Sequence, residues 1–218
     1  KMLDVHAPHA AAHGWKEFLT HIVAIAVGLL LALALEKAVE FMHERHQLTQ
    51  ARRELAAELH ENFRQWQKNQ AEVQRIQTNL SRDLQLIQAL RTNAVPNARF
   101  DYSESFYSTL DGAWLAARQS GALDLMPHGE LMNYAWFHQL LGYVMDAMHG
   151  LEPTIKIAEA IAASAPPEKI SQRDLDELAG RTMEAQGRLQ NFKMLLAFEG
   201  EGFRRLSGAK AGVLELGP

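Results

Sequence analysis

The sequence predicts an all-α protein in which a single N-terminal transmembrane helix continues into a long helix, with shorter helices folded back on it as an antiparallel bundle. Three observations carry this reading. Residues 22–35 contain no polar side chain. Neither glycine nor proline occurs between Gly28 and Pro96, so nothing stops a helix once it has begun. Apolar residues beyond the span recur at helical spacing, and no run alternates with the period of two that a half-buried strand requires. The 218 residues are 47% apolar, enough for a packed core. Lys and Arg number 22 against 26 Asp and Glu, a net charge of -4, which argues against a nucleic-acid partner. There is no cysteine, so disulfides, thiolate metal sites and a cysteine nucleophile are excluded.

Residues 1–14 read as a tail and 15–36 as the anchor. The run FLTHIVAIAVGLLLALAL, residues 18–35, rises roughly 27 Å as a helix, close to the roughly 30 Å hydrocarbon core of a bilayer. Trp15 and Lys16 before it, and Glu36 and Lys37 after it, suit the headgroup layer. Ala32, Leu33 and Ala34 have the small-x-small form of a signal-peptide cleavage site, but no helix breaker precedes them, so the reading is a retained anchor. Lys37, Arg45, Arg52 and Arg53 outnumber Lys1 and Lys16 on the other side, and the positive-inside rule then places the C-terminal part in the cytoplasm. Ala24, Gly28 and Ala32 recur every four residues and line one face along which two membrane helices can approach closely. The plainer account is that alanine is common in anchors.

The long helix is expected from Trp15 to Arg91, on the order of 115 Å at 1.5 Å per residue. Its polar part, residues 37–92, carries a coiled-coil-like heptad. Arg52, Leu59, Trp66, Val73, Leu80 and Ile87 fall seven apart, interleaved with Leu55, Asn62, Asn69, Ile76, Asp83 and Leu90. That four-three spacing is what knobs-into-holes packing uses, and Asn62, Asn69 and Asp83 are polar seam positions able to fix register or partner number. Phe63 and Leu84 widen the stripe toward that of a bundle.

Residues 93–206 are expected to pack on the long helix. Asn93 to Asn97, around Pro96, break it. A shorter helix is predicted over 103–119, closed by Ser120 and Gly121. Pro127 suits the first turn of the next helix, which carries Leu131, Tyr134, Phe137, Leu141, Met145 and Met148 on one side. Gly150 and Pro153 punctuate it before it continues over 154–163. Ala165, Pro166 and Pro167 read as a hinge. Ser171, with Asp174 three residues on, caps a final helix to about Leu206. Residues 207–218 read as a loose tail.

The ten histidines are the residues that invite chemistry. His6, His9 and His13 share a face if the tail is helical, although Pro8 lies among them. His43 and His46, beside Glu40 and Glu44, are a candidate metal pair, or an ordinary juxtamembrane face. His21 lies about one turn inside the span, where an ionisable group is costly. It either snorkels to the interface, bonds across a helix pair, or ligates a haem- or chlorophyll-type cofactor. Trp114, Tyr134, Trp136 and Phe137 are candidates for a ligand pocket between helices, or plain core. No phosphate loop, HExxH, GxSxG or EF-hand is present, and Glu40 to His43 is a lone Glu-x-x-His. The expectation is a non-enzyme without a resident cofactor.

Two stretches carry a resemblance: the anchor from Trp15 to Glu36, with His43 and His46 in the helix that follows, and the "W…SGAL…MP" segment from Trp114 to Pro127. They resemble a group of uncharacterised bacterial single-pass membrane proteins, over roughly the first 135 residues. The resemblance implies architecture alone and no activity; the location expected is a bacterial inner membrane. The function expected is that of a membrane-anchored scaffold or accessory subunit, self-associating or joined to other subunits of a membrane complex. A sensor bundle and a histidine-ligated cofactor carrier are the alternatives.

Overall fold

A computed structural model describes residues 14–92 and 99–208. Among the described residues there are four helices, α1 (Trp15–Arg91), α2 (Gly112–Gln119), α3 (His128–Ala162) and α4 (Gln172–Gly208), with single 3₁₀ turns at Ala122–Leu125 and Pro167–Lys169. Among the described residues no strand occurs. The chain divides into two compact units, one up to Gln47 and one from Leu48 onward.

In the first unit α1 leaves its large apolar side chains exposed, from Phe18 and Ile22 through Leu35. An 18-residue window has a mean hydropathy of 2.5 with none of it buried, so this stretch is long and apolar enough for a membrane span or a signal anchor.

The second unit is a helical bundle, and the heptad of α1 is spent inside it. Leu55, Leu59, Val73, Ile76, Leu80 and Ile87 are buried, and Trp66 is half-buried beside them. They join two core clusters, one around Leu80, Leu151 and Phe192 and one around Leu55, Phe137 and Phe203. On α4 the matching stripe runs Leu178, Thr182, Ala185, Leu189, Phe192, Leu196, Glu199, Phe203 and Leu206, all buried at alternating four- and three-residue steps after Thr182.

Cross-helix pairs give the helix directions. Arg52 meets Glu130 and Glu58 lies by His138, so α1 and α3 ascend together. Trp66 bonds to Leu196, Lys193 to Gln77 and Arg91 to Asp176, so α4 descends against α1. Two glycines set how closely α4 packs. A Cβ on Gly202 would lie 2.5 Å from the Phe137 ring, and one on Gly200 would lie 2.8 Å from the Trp66 ring.

Among the described residues, the sequence reading of 93–206 needs two corrections. The helix expected over 103–119 begins only at Gly112, and residues 99–111 are non-helical. The reason is that side chains of α1 take the backbone groups that a helix would use for itself. Secondly, α3 runs unbroken through Gly150 and Pro153. Leu151 and Ile155, fully buried on either side of the proline, hold the turn in place. α4 ends at Gly208, within two residues of the expected end at about Leu206. Its start is as read, with the Asp174 N–H donating to Ser171 Oγ at 3.1 Å.

Candidate functional site

The most constructed feature of the second unit is the strap, residues 99–111, and the row of polar side chains that holds it. Asn69 accepts from the Tyr107 N–H at 2.9 Å and donates to the Tyr107 carbonyl at 2.8 Å. Asn62 does the same to Leu110, at 2.7 and 2.8 Å. Each amide thus pairs with one residue's N–H and C=O together, as a neighbouring peptide would in a sheet. The spacing explains why. Seven residues of helix rise about 10.5 Å and three extended residues span about 10 Å, so consecutive heptad positions meet every third strap residue.

Carboxylates continue the row on both sides of the amides. Glu72 accepts from the Ser105 N–H at 2.6 Å, and Asp83 from the Asp101 N–H at 3.0 Å. Asn79 donates to the Asp101 carboxylate at 2.9 Å, and Arg75 donates to the Ser103 carbonyl at 2.9 Å. The strap's side chains fasten it further: Phe106 packs edge-on against Phe192, and Tyr102 shares a buried 2.6 Å hydrogen bond with Thr182. Burial pushes the Asp83 carboxyl above its ordinary range, against the Asp101 N–H and Arg82, which lower it.

The row ends at a buried cluster. Glu58 accepts from two N–H groups in the first turn of α2, Ala113 at 2.6 Å and Trp114 at 3.3 Å, and so supplies the cap that Asp111 does not. The Trp114 ring lies flat on the His138 imidazole, centroids 4.6 Å apart. His138 Nε2 is 3.8 Å from the Glu58 carboxylate. Burial lowers the imidazole to about 4, with Asp111 opposing, so at neutral pH it is uncharged and the contact is not an ion pair. Burial also raises Glu58, against its two backbone donors. Both Glu58 oxygens are engaged and the imidazole is covered by an indole, so the cluster is arranged to hold the start of α2.

The residues singled out from sequence fall into separate places. His21 donates through Nδ1 to the Glu17 carbonyl at 2.8 Å, which binds the ring to its own helix. His43 and His46 are exposed on α1, and among the described residues no group of three His, Asp or Glu is placed to hold a metal. Ala24, Gly28 and Ala32 are exposed, and a Cβ on Gly28 would meet nothing within 4 Å. His6, His9 and His13 lie outside the described residues. The four aromatic pocket candidates are not brought together around one space. Tyr134 and Phe137 are core, Trp136 is exposed under Arg205 at 5.0 Å, and Trp114 stacks on His138. A cleft of about 490 Å³ lies elsewhere, between the start of the strap (Arg99, Phe100, Asp101), the end of α3 (Glu159, Ala162) and Pro166.

No protein-family profile, curated protein or solved structure matches this chain. The site therefore rests on its own geometry.

The heptad marks Asn62, Asn69 and Asp83 as polar seam positions but not what they bind, and Glu58, His138 and Glu199 lie outside it. Glu199 had a readable signal, since it is the one charged residue in the four-three stripe of α4. His138 had none, because only the fold sets it against Trp114.

Proposed function

We propose that this protein is a non-catalytic, membrane-anchored helical module that works by assembly, either with copies of itself or as an accessory subunit of a membrane complex. One observation carries the reading. Every residue of the apolar run 18–35 is exposed, while the heptad stripe of α1 is already enclosed by its own bundle. Association through the heptad seam would require unfolding the second unit, so the reading assigns it to the exposed apolar face of the anchor. On this reading the chain is single-pass in a bacterial inner membrane, and the antiparallel bundle formed by α4 against α1 and α3 lies on the cytoplasmic side. The strap and its amide row suit a module that keeps one shape.

The test is extraction followed by native mass measurement. Membranes carrying the protein should retain it through a high-salt and alkaline wash and release it to mild detergent, as a species heavier than one chain. Release by the wash would overturn the anchoring. A lone monomer free of other proteins would overturn the assembly.

A second reading, a membrane-tethered ligand-binding bundle, is favoured by the 490 Å³ cleft at Arg99 and Phe100, whose strap wall is held rigid by Asn79 and Asp83. A small molecule retained there in an experimental density map would support it.

A further inference from the structure

Glu199 lies where the last turns of α4 are pressed between α1 and α3. Its side chain is only 1% exposed, and Oε1 has no hydrogen-bond partner. The packing around it is tight on both sides, because Gly200 admits the Trp66 ring and Gly202 the Phe137 ring. The indole N–H of Trp66 donates to the Leu196 carbonyl, one turn before Glu199, at 2.8 Å. One turn after it, Phe203 joins Phe63, Trp66 and Phe137 in an aromatic cluster with centroids 4.9 to 6.0 Å apart. This is a poor place for a carboxylate ion, since burial without a partner penalises the charged form.

The charged groups in the neighbouring turns are engaged elsewhere. On α1, Glu61 pairs with Arg64, Lys68 lies over the Tyr107 ring and Glu58 caps α2. On α3, His138 stacks on Trp114. On α4 itself, Lys193 bonds to Gln77, and Glu201 pairs with Arg204 and Arg205. None of them acts on Glu199. Burial alone pushes its carboxyl up, to about 8.

We propose that Glu199 is a proton-binding site that couples the closure of α4 on α1 and α3 to pH. In the closed bundle it is the neutral acid. Loss of the proton forces the turn from Leu196 to Phe203 to admit water, and loosens α4 there first. The sign follows from linkage. The folded state holds a proton that the unfolded chain has released above about 4.5, so the stability this group contributes is complete below that pH and is lost as pH rises toward 8. The inference is independent of the anchoring reading, since every residue in it belongs to the second unit.

The experiment uses the full chain in detergent micelles. Denaturant unfolding followed by tryptophan fluorescence between pH 5 and 9 is compared for the wild type and Glu199→Gln, with Glu199→Leu as a second variant that needs no hydrogen bond. Relative to either variant, the wild-type unfolding constant should rise about tenfold per pH unit through this range and level off above about 8. Difference infrared spectra of the wild type should show the carbonyl stretch of a protonated carboxylic acid at neutral pH, lost with a midpoint near 8. Parallel stability curves for wild type and variants would overturn the proposal. If neither variant folds, absence of that titrating band in the wild type overturns it alone.

Discussion

At the scale of single residues, the amides and carboxylates of α1 decide what residues 99–111 become. Asn69 is 2% exposed and gives both of its hydrogen bonds to one residue of the strap. Replacing it by alanine leaves the Tyr107 N–H and C=O without partners. Asn69→Ala is therefore expected to cost about 1–3 kcal/mol in denaturant unfolding, more than removal of an exposed amide such as Gln67, which should stay within about 0.5 kcal/mol. Asp83 gives the opposite sign. Its carboxyl is raised by burial, so the folded state favours the protonated form, and the stability it contributes is lost as pH rises through its folded value. An asparagine there keeps the acceptor for the Asp101 N–H and sheds the buried charge. Asp83→Asn should be more stable than wild type at pH 7, with a gap that narrows as pH falls toward 4. Urea melts at the two pH values decide this, and a gap that widens on acidification rejects it. These positions also mark what was legible. The heptad displayed Asn62, Asn69 and Asp83 as polar, and a polar seam position reads as a device for register. That they register an extended segment of the same chain was hidden, because the partner groups are backbone and carry no sequence signature.

At the scale of elements, the bounds of α1 were read well, and the continuity of α3 through Pro153 and the conformation of 103–111 were not. The α1 bounds follow from an absence of breakers, which is a property of the chain alone. The strap does not, since residues 103–111 carry no strong breaker and a helix forms there only if nothing else takes their N–H and C=O groups. α4 shows a second element-scale effect, in which glycines that look like helix breakers serve close approach. Phe137 is fixed in the core, so a Cβ on Gly202 at 2.5 Å from its ring has no room to be relieved. Gly202→Ala is expected to destabilise by about 1–3 kcal/mol despite the better helix propensity of alanine. Gly142 and Gly187 are exposed in helices with nothing within 4 Å of a Cβ. Alanine at either should stabilise by about 0.5–1 kcal/mol. Thermal unfolding of the three variants side by side checks the argument, which fails if all three shift in the same direction.

At the scale of the whole molecule, the chain carries two apolar stripes with different fates, one buried and one exposed. The stripe from Leu55 to Ile87 is closed over by the bundle, whereas Phe18 through Leu35 remain exposed. Sequence alone did not separate them, because a heptad seam serves an intramolecular bundle and an intermolecular coil equally well until the partner helices are known. If the anchor is the surface of assembly, substitutions in the two stripes must act on different observables. Leu80→Ala removes a buried side chain and is expected to cost about 2–5 kcal/mol of unfolding free energy, while leaving membrane retention and complex mass unchanged at low temperature. Gly28→Ile fills an open helix face where a Cβ meets nothing within 4 Å among the described residues, so unfolding should be unaffected. On the small-residue face it should reduce the mass of the detergent-extracted species toward a single chain. Native mass measurement and unfolding on the same two preparations give four readings. A Leu80→Ala protein that dissociates without unfolding would put association back on the heptad seam and remove the reason for assigning it to the anchor.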